Sequence, residues 1–180
     1  MTGLRGLLRR LTGAPPLPSG WAGRLDADEE VDAVGELAGG GHLVVTPLGL
    51  WVPDGAGARR VGWERVSKAV WDRSSLVLTE AAVDSTAGGA EVLRDLAPRR
   101  YALTGPGRVP ERVRERVTGS IRSSQHRDLP GGGAWFVQRK VPGRDGVVLQ
   151  VRPDPGADVD ALRAVAAGVA ERLARARRDV

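Results

Sequence analysis

The chain has 180 residues, a formal net charge of +5, no cysteine, and few aromatics: five Trp, one Tyr and one Phe. Without cysteine, disulfides, thiolate catalysis and cysteine-based zinc sites are excluded, and no apolar run approaches the roughly 20 residues that span a bilayer. The length suits one domain with appendages, on the scale of about 100–200 residues per domain, with a core built mainly of Val, Leu and Ala and the tryptophans as its few large anchors.

Charge is laid out unevenly. Between Leu25 and Pro98, 13 acidic residues stand against 6 basic ones, whereas the remainder carries 21 basic against 9 acidic. Almost all the base is arginine, Lys68 and Lys140 being the only lysines. Segregation of sign of this kind points to a partner or to an intramolecular counter-face.

In chain order, Leu4, Leu7, Leu8 and Leu11 recur at helical spacing, with Arg5, Arg9 and Arg10 elsewhere on the turn, which makes a short basic amphipathic segment. Its arginines interrupt the apolar stretch, so it does not read as a secretory signal, and the expected compartment is the cytoplasm. Ala14–Gly20, APPLPSG, ends it, because proline removes a donor and clashes with the preceding helical turn. Residues 1–24 are therefore a basic lead followed by a proline-rich linker. Asp26, Asp28, Glu29 and Glu30 form an acidic cluster that would suit a hard cation, but no glycine-centred ligand spacing follows, and the expectation is a solvated lead-in. Asp28–Leu37 reads as a first strand or a short helix.

After Gly39-Gly40-Gly41, short runs follow one another: His42–Thr46, Leu50–Val52, Arg60–Trp63, Val66–Asp72, Leu76–Thr79, Glu91–Leu96 and Arg100–Thr104. Short strands at roughly 8–12-residue spacing argue for a small barrel or sandwich. Pro110 then suits a first helical position, and Glu111 and Glu115 suit the early turns. Val113, Val117 and Ile121 draw one apolar stripe along a helix of about four turns. Ser123–Gly133 reads as a loop. Ala134–Val141 and Val147–Val151 flank a turn containing Gly143 and Gly146, a β-hairpin. Asp158 is a fitting N-cap for a last helix through Val159, Leu162, Ala166, Val169 and Leu173.

Two stretches stand out: LVVTPLGLWV, ending at Val52, and VGWERVSKAVWD, Val61–Asp72. In each, strand patterning and turn chemistry lead towards a tryptophan hinge. On these residues the segment from about Glu29 to Gln125 resembles a bacterial pleckstrin-homology-like domain of the GRAM-related sort. The fold expected is α+β: a PH-like antiparallel β-barrel or sandwich capped by a helix over residues 25–127, with a β-hairpin and C-terminal helix appended over 128–180. The resemblance further implies ligand binding by basic residues in the first inter-strand loops. The matching loop here, AGGGH, offers only His42 and no Lys/Arg cluster, which speaks against phosphoinositides.

No catalytic constellation emerges. His42 and His126 lie far apart in sequence, and Gly55-Ala56-Gly57 precedes a strand where a dinucleotide loop would precede a helix. The expectation is a non-enzymatic binding or scaffold module without cofactor or metal, joining a protein partner or a second copy through a strand edge or the tail. The alternative is a polyanion-binding accessory protein, contacting nucleic acid or an anionic membrane surface through the arginine-rich 99–127 region. The candidate binding residues are Arg99, Arg100, Arg108, Arg112, Arg114 and Arg116, where each neutralised phosphate would add salt dependence.

Overall fold

The computed structural model describes residues 15–129, 131–144 and 146–178, so the amphipathic segment expected before residue 12 lies outside the described residues. Eleven strands and two α-helices follow in the order β1 (Ala33–Leu37), β2 (His42–Val45), β3 (Gly49–Asp54), β4 (Gly57–Gly62), β5 (Val66–Asp72), β6 (Ser75–Ala87), β7 (Ala90–Asp95), β8 (Arg99–Gly105), α1 (Val109–Ser120), β9 (Ile121–Arg127), β10 (Ala134–Lys140), β11 (Val147–Pro153) and α2 (Val159–Arg178). A 3-10 turn, Trp63–Arg65, joins β4 to β5. All the strands form one sheet in the order β4-β3-β2-β1-β8-β6-β7-β11-β10-β9, with β5 alongside β6. Pairing is antiparallel throughout, except for a parallel contact between β11 and β7. The molecule is thus α+β, with the hairpin β10–β11 and the C-terminal helix in place. The sheet is open, however, and does not close into a barrel.

The opening is explained by β6. The run expected at Leu76–Thr79 is the start of a 13-residue strand. Its first half pairs with β5 and β8, and from Ala81 onward it pairs with β7 instead. Each half serves its own core. The first gathers Leu43, Leu50, Trp63, Val66, Leu76 and Leu78, into which α1 inserts Val109 and Val113. The second gathers Val92, Phe136, Leu149 and Val151 under Leu162 and Ala166 of α2. The turn between β6 and β7 sits directly on α2: Gly88 has φ +57°, and a Cβ there would lie 2.8 Å from the Ala167 Cα. A residue with a side chain would meet both backbone strain and a clash.

Two segments differ from the sequence reading. Helix α1 stops at Ser120, and Ile121, expected on its apolar stripe, begins β9 and is exposed. Ser123–Arg127, expected as loop, pairs with β10, His126 opposite Trp135 and Ser124 opposite Val137. Cross-strand partners here override a polar composition of poor strand propensity.

The acidic lead-in is not uniformly solvated. The Glu29 side chain is fully buried and accepts hydrogen bonds from Thr46 Oγ1 (2.5 Å), Trp51 Nε1 (3.0 Å) and Arg60 Nη1 (2.7 Å). Trp21, from the expected linker, meets Trp51 edge-on at 5.3 Å, with Leu17 and Leu25 packed nearby. The segment before β1 is therefore strapped across the outer face of β2 and β3 by one carboxylate and one aromatic pair. Without Glu29, Arg60 keeps Asp26 and Thr46 Oγ1 keeps the Gly49 carbonyl, but the buried Trp51 Nε1 loses its acceptor, which costs about 1–3 kcal/mol. Glu29→Ala is expected to lose that much in urea unfolding, while the exposed neighbour Asp28→Ala stays within about 0.5 kcal/mol of the parent protein.

Candidate functional site

Strands β7, β10 and β11 turn one face to α2 and the other to the first half of the molecule, and the contact on that second face is polar. Arg139 is 3% exposed and donates from Nη1 to the Trp63 carbonyl (2.8 Å) and to Ser120 Oγ (3.1 Å). Gln150, fully buried, donates to the Glu64 carbonyl (3.0 Å) and to Glu91 Oε2 (3.2 Å). Arg65 grips Glu91 with two bonds of 2.8 Å, and Arg152 donates to Ser67 Oγ and, at 3.3 Å, to Asp95. Burial, seconded by the nearby Arg152 charge, pulls the Arg139 guanidinium down to about 10, and burial lowers Arg152 as well. These groups join the two halves. The sequence reading passed over them, although an Arg and a Gln inside the apolar runs AWFVQRK and VVLQV were the available signal.

The six candidate arginines do not form one free cationic face. Arg100 pairs with Asp72 at 3.0 Å, Arg108 with Glu111 at 3.1 Å and Arg112 with Glu115 at 2.6 Å. Arg116 reaches across to Asp32 of the acidic segment at 2.5 Å. The Arg108 contact holds the Glu111 carboxyl below its ordinary range through a charged hydrogen bond. Arg99 and Arg114 are exposed and make no ion pair among the described residues. Much of the charge segregation in the sequence is thus answered within the molecule.

A groove of about 190 Å³ lies between β5 and α1, lined by Ala69 and Trp71 on the strand and by Pro110, Val113, Arg114 and Val117 on the helix. Strand β5 pairs with β6 on one side only, which leaves its other edge free of strands. Val70 and Trp71 are 40% and 37% exposed along it. Trp71 was legible as one of the few large anchors of the fold. That β5 would be an edge was not, because edge status depends on the whole strand order.

The two histidines are separate. His42 begins β2 opposite Glu36, and His126 Nε2 lies 2.8 Å from Asp154 Oδ2, with its ring edge-on to Trp135 at 5.2 Å. Among the described residues no group of three or more His, Cys, Asp or Glu side chains is arranged to hold a metal ion, and no helix is long and apolar enough to cross a membrane. Gly55 and Gly57 fall at the β3–β4 turn, Asp54 being paired with Gly57.

Compared with known proteins, the chain matches no family model, no curated protein and no solved structure. The arrangement of residues therefore carries the functional reading alone. With Arg99 and Arg114 as the unpaired members of the candidate set, binding to a nucleic-acid duplex should show a slope of log K against log salt near about −2, whereas engagement of all six arginines would give roughly −5. A salt titration on a heparin column or by fluorescence anisotropy distinguishes the two.

Proposed function

We propose that the protein is a non-enzymatic binding module of the PH-like kind, which takes an extended segment of a protein partner as an added strand on β5. Strand order supports the PH-like reading. In the first half it runs β4-β3-β2-β1-β8-β6 with β5 beside β6, and α1 follows the last of these strands in the chain.

The observation that carries the binding mode is the contrast between free edges. Edge strands are ordinarily blunted by charge, because their unpaired N–H and C=O groups will accept any passing strand. Among the described residues, β4 carries Arg59 and Arg60 and β9 carries Arg122, His126 and Arg127. Strand β5 instead runs Ala69-Val70-Trp71 between Lys68 and Asp72, and it borders the apolar groove under α1. Strand addition supplies main-chain hydrogen bonds for affinity, and pockets for alternate side chains supply selectivity. The groove accepts one apolar side chain, and Arg114 in its wall favours an acidic residue near it. The polyanion reading is weakened, because four of its six arginines are already paired.

The test places a photo-crosslinking amino acid at Thr118, on the groove wall, in the full chain in its own cells. The expected product is a single partner cross-linked through an extended segment. Val70→Lys, which puts a charge on the edge, should weaken binding of a peptide of that segment at least about tenfold without altering the thermal midpoint. Cross-links scattered over unrelated proteins, or full affinity in the Val70→Lys protein, would sink the proposal.

A further inference from the structure

Strands β7 and β11 run parallel and are paired only at Glu91–Gln150 and Val92–Val151. Beyond that point β7 continues to Asp95 beside β6, and β11 continues to Pro153 beside β10. Pro153 has no N–H to offer β7, and Pro155 follows two residues later. The sheet therefore forks, and the fork opens into a cleft of about 680 Å³. It lies at the end of the β10–β11 hairpin away from the turn, and all its lining residues are among those described.

The walls are chiefly apolar, with Leu93, Pro153, Pro155, Val159 and Trp135. Trp135 is 46% exposed. It stands directly opposite Arg152 on β11 and His126 on β9, and so shares one face of the sheet with both. Asp154 holds His126, whose ring meets the indole edge-on at 5.2 Å. An exposed indole backed in this way is a ready surface for a second flat ring. Beside it, Arg152 reaches Ser67 Oγ and Asp95 through Nη1, while its Nη2 is buried without a partner. Burial disfavours the charge on Arg152, and an anion placed against it would favour that charge. Both carboxylates in the wall are already engaged, Asp95 by Arg152 and Asp84 by Arg94 and Arg163. Lys68, exposed and also lining the cleft, pairs with no carboxylate among the described residues. The wall's charges nearly cancel, which disfavours a polyanion and suits a single acidic group.

We propose that the fork between β7 and β11 is a binding site for a small, flat aromatic monocarboxylate. The ring stacks on the Trp135 indole, and the carboxylate is held by Arg152 and Lys68. The cleft's volume falls in the roughly 300–1,000 Å³ range of small-molecule sites, which combine apolar walls with a few polar groups that fix orientation. A guanidinium matches carboxylate oxygens as a planar fork, and an ammonium matches them as a point charge. No lining residue is shared with the groove beside β5.

The test is calorimetric titration of the full chain with phenylacetate, indole-3-acetate and the neutral phenylacetamide, paired with amide and indole N–H spectra. At least one of the two acids is expected to bind saturably at one molecule per chain, shifting the Trp135 indole signal and the amides of Leu93 and Asp95. Phenylacetamide should bind at least about tenfold more weakly than its acid. Trp135→Ala changes an exposed side chain and should weaken acid binding at least about tenfold. Lys68→Gln should weaken it about threefold, as for an exposed ion pair. Arg152 is left in place because it also bonds Ser67 across the joint. Absence of saturable binding by both acids, equal affinity for phenylacetamide, or undiminished affinity in the Trp135→Ala protein would overturn the site. A further arm uses a short peptide ending in Phe. Tighter binding of that peptide than of either acid would assign the cleft to a chain terminus and overturn the small-molecule reading. Trp135→Ala leaves the β5 edge intact, so this proposal and the β5 interaction fail separately.

Discussion

Both halves of the molecule rest on β6. Thirteen extended residues reach about 44 Å at a rise of 3.4 Å per residue, more than one small core can follow. Twist accumulates along a strand of that length, so its two ends face different directions and recruit different neighbours. Around Ala81 the partners change from β5 and β8 to β7. The two cores, the open sheet and the position of α2 all follow from that exchange. A shorter β6 would have allowed β5, β8 and their neighbours to curl back on themselves.

The second consequence is the nature of the joint. With α2 covering one face of β7, β10 and β11, the opposite face is left to meet the first half, and it does so through Arg139, Gln150, Arg152 and Glu91. Apolar surface would hold two layers together without setting their angle. Bonds aimed at the Trp63 and Glu64 carbonyls of the 3-10 turn are directional, and each buried polar group left unmade costs about 1–3 kcal/mol. The joint therefore fixes how the second layer sits. It also places the β10–β11 loop beside the end of α1, the point at which the sheet contributes to a concave surface.

What the sequence revealed was local. Strands β2, β3 and β5, the hairpin β10–β11 and both helices carry their own alternation, turn residues or caps, so each can be read from its own residues. The second half of β6 runs Ala81-Ala82-Val83-Asp84-Ser85-Thr86 and has no strand signature of its own, being defined by its pairing with β7. Strand β9 is hidden in the same way by its polar composition. Glu29 looked like one acid among four, and only its contacts with Thr46, Trp51 and Arg60, 17 to 31 residues away, distinguish it. The arginines were visible as charge, but Asp32 and Asp72, which neutralise two of them, lie 84 and 28 residues distant. Spacing along a chain carries no information about such partners, and the free edge of β5 became apparent only from the strand order.

The order of the strands has one further consequence, for a chain emerging from the ribosome. Every ladder of the first layer, from β1–β2 to β6–β8, has all its residues once Gly105 has emerged, and its helical plug once Ser120 has. The far half of β6 and all of β7 are by then already present as a projecting two-stranded flap, with Ala90 and Val92 awaiting cover. Synthesis of residues 121–178 supplies the hairpin and α2 that lie over that flap. The nascent protein thus carries its own template for docking the segment after Ser120, and the interval before α2 is available is when that apolar row stands most open to an incorrect neighbour.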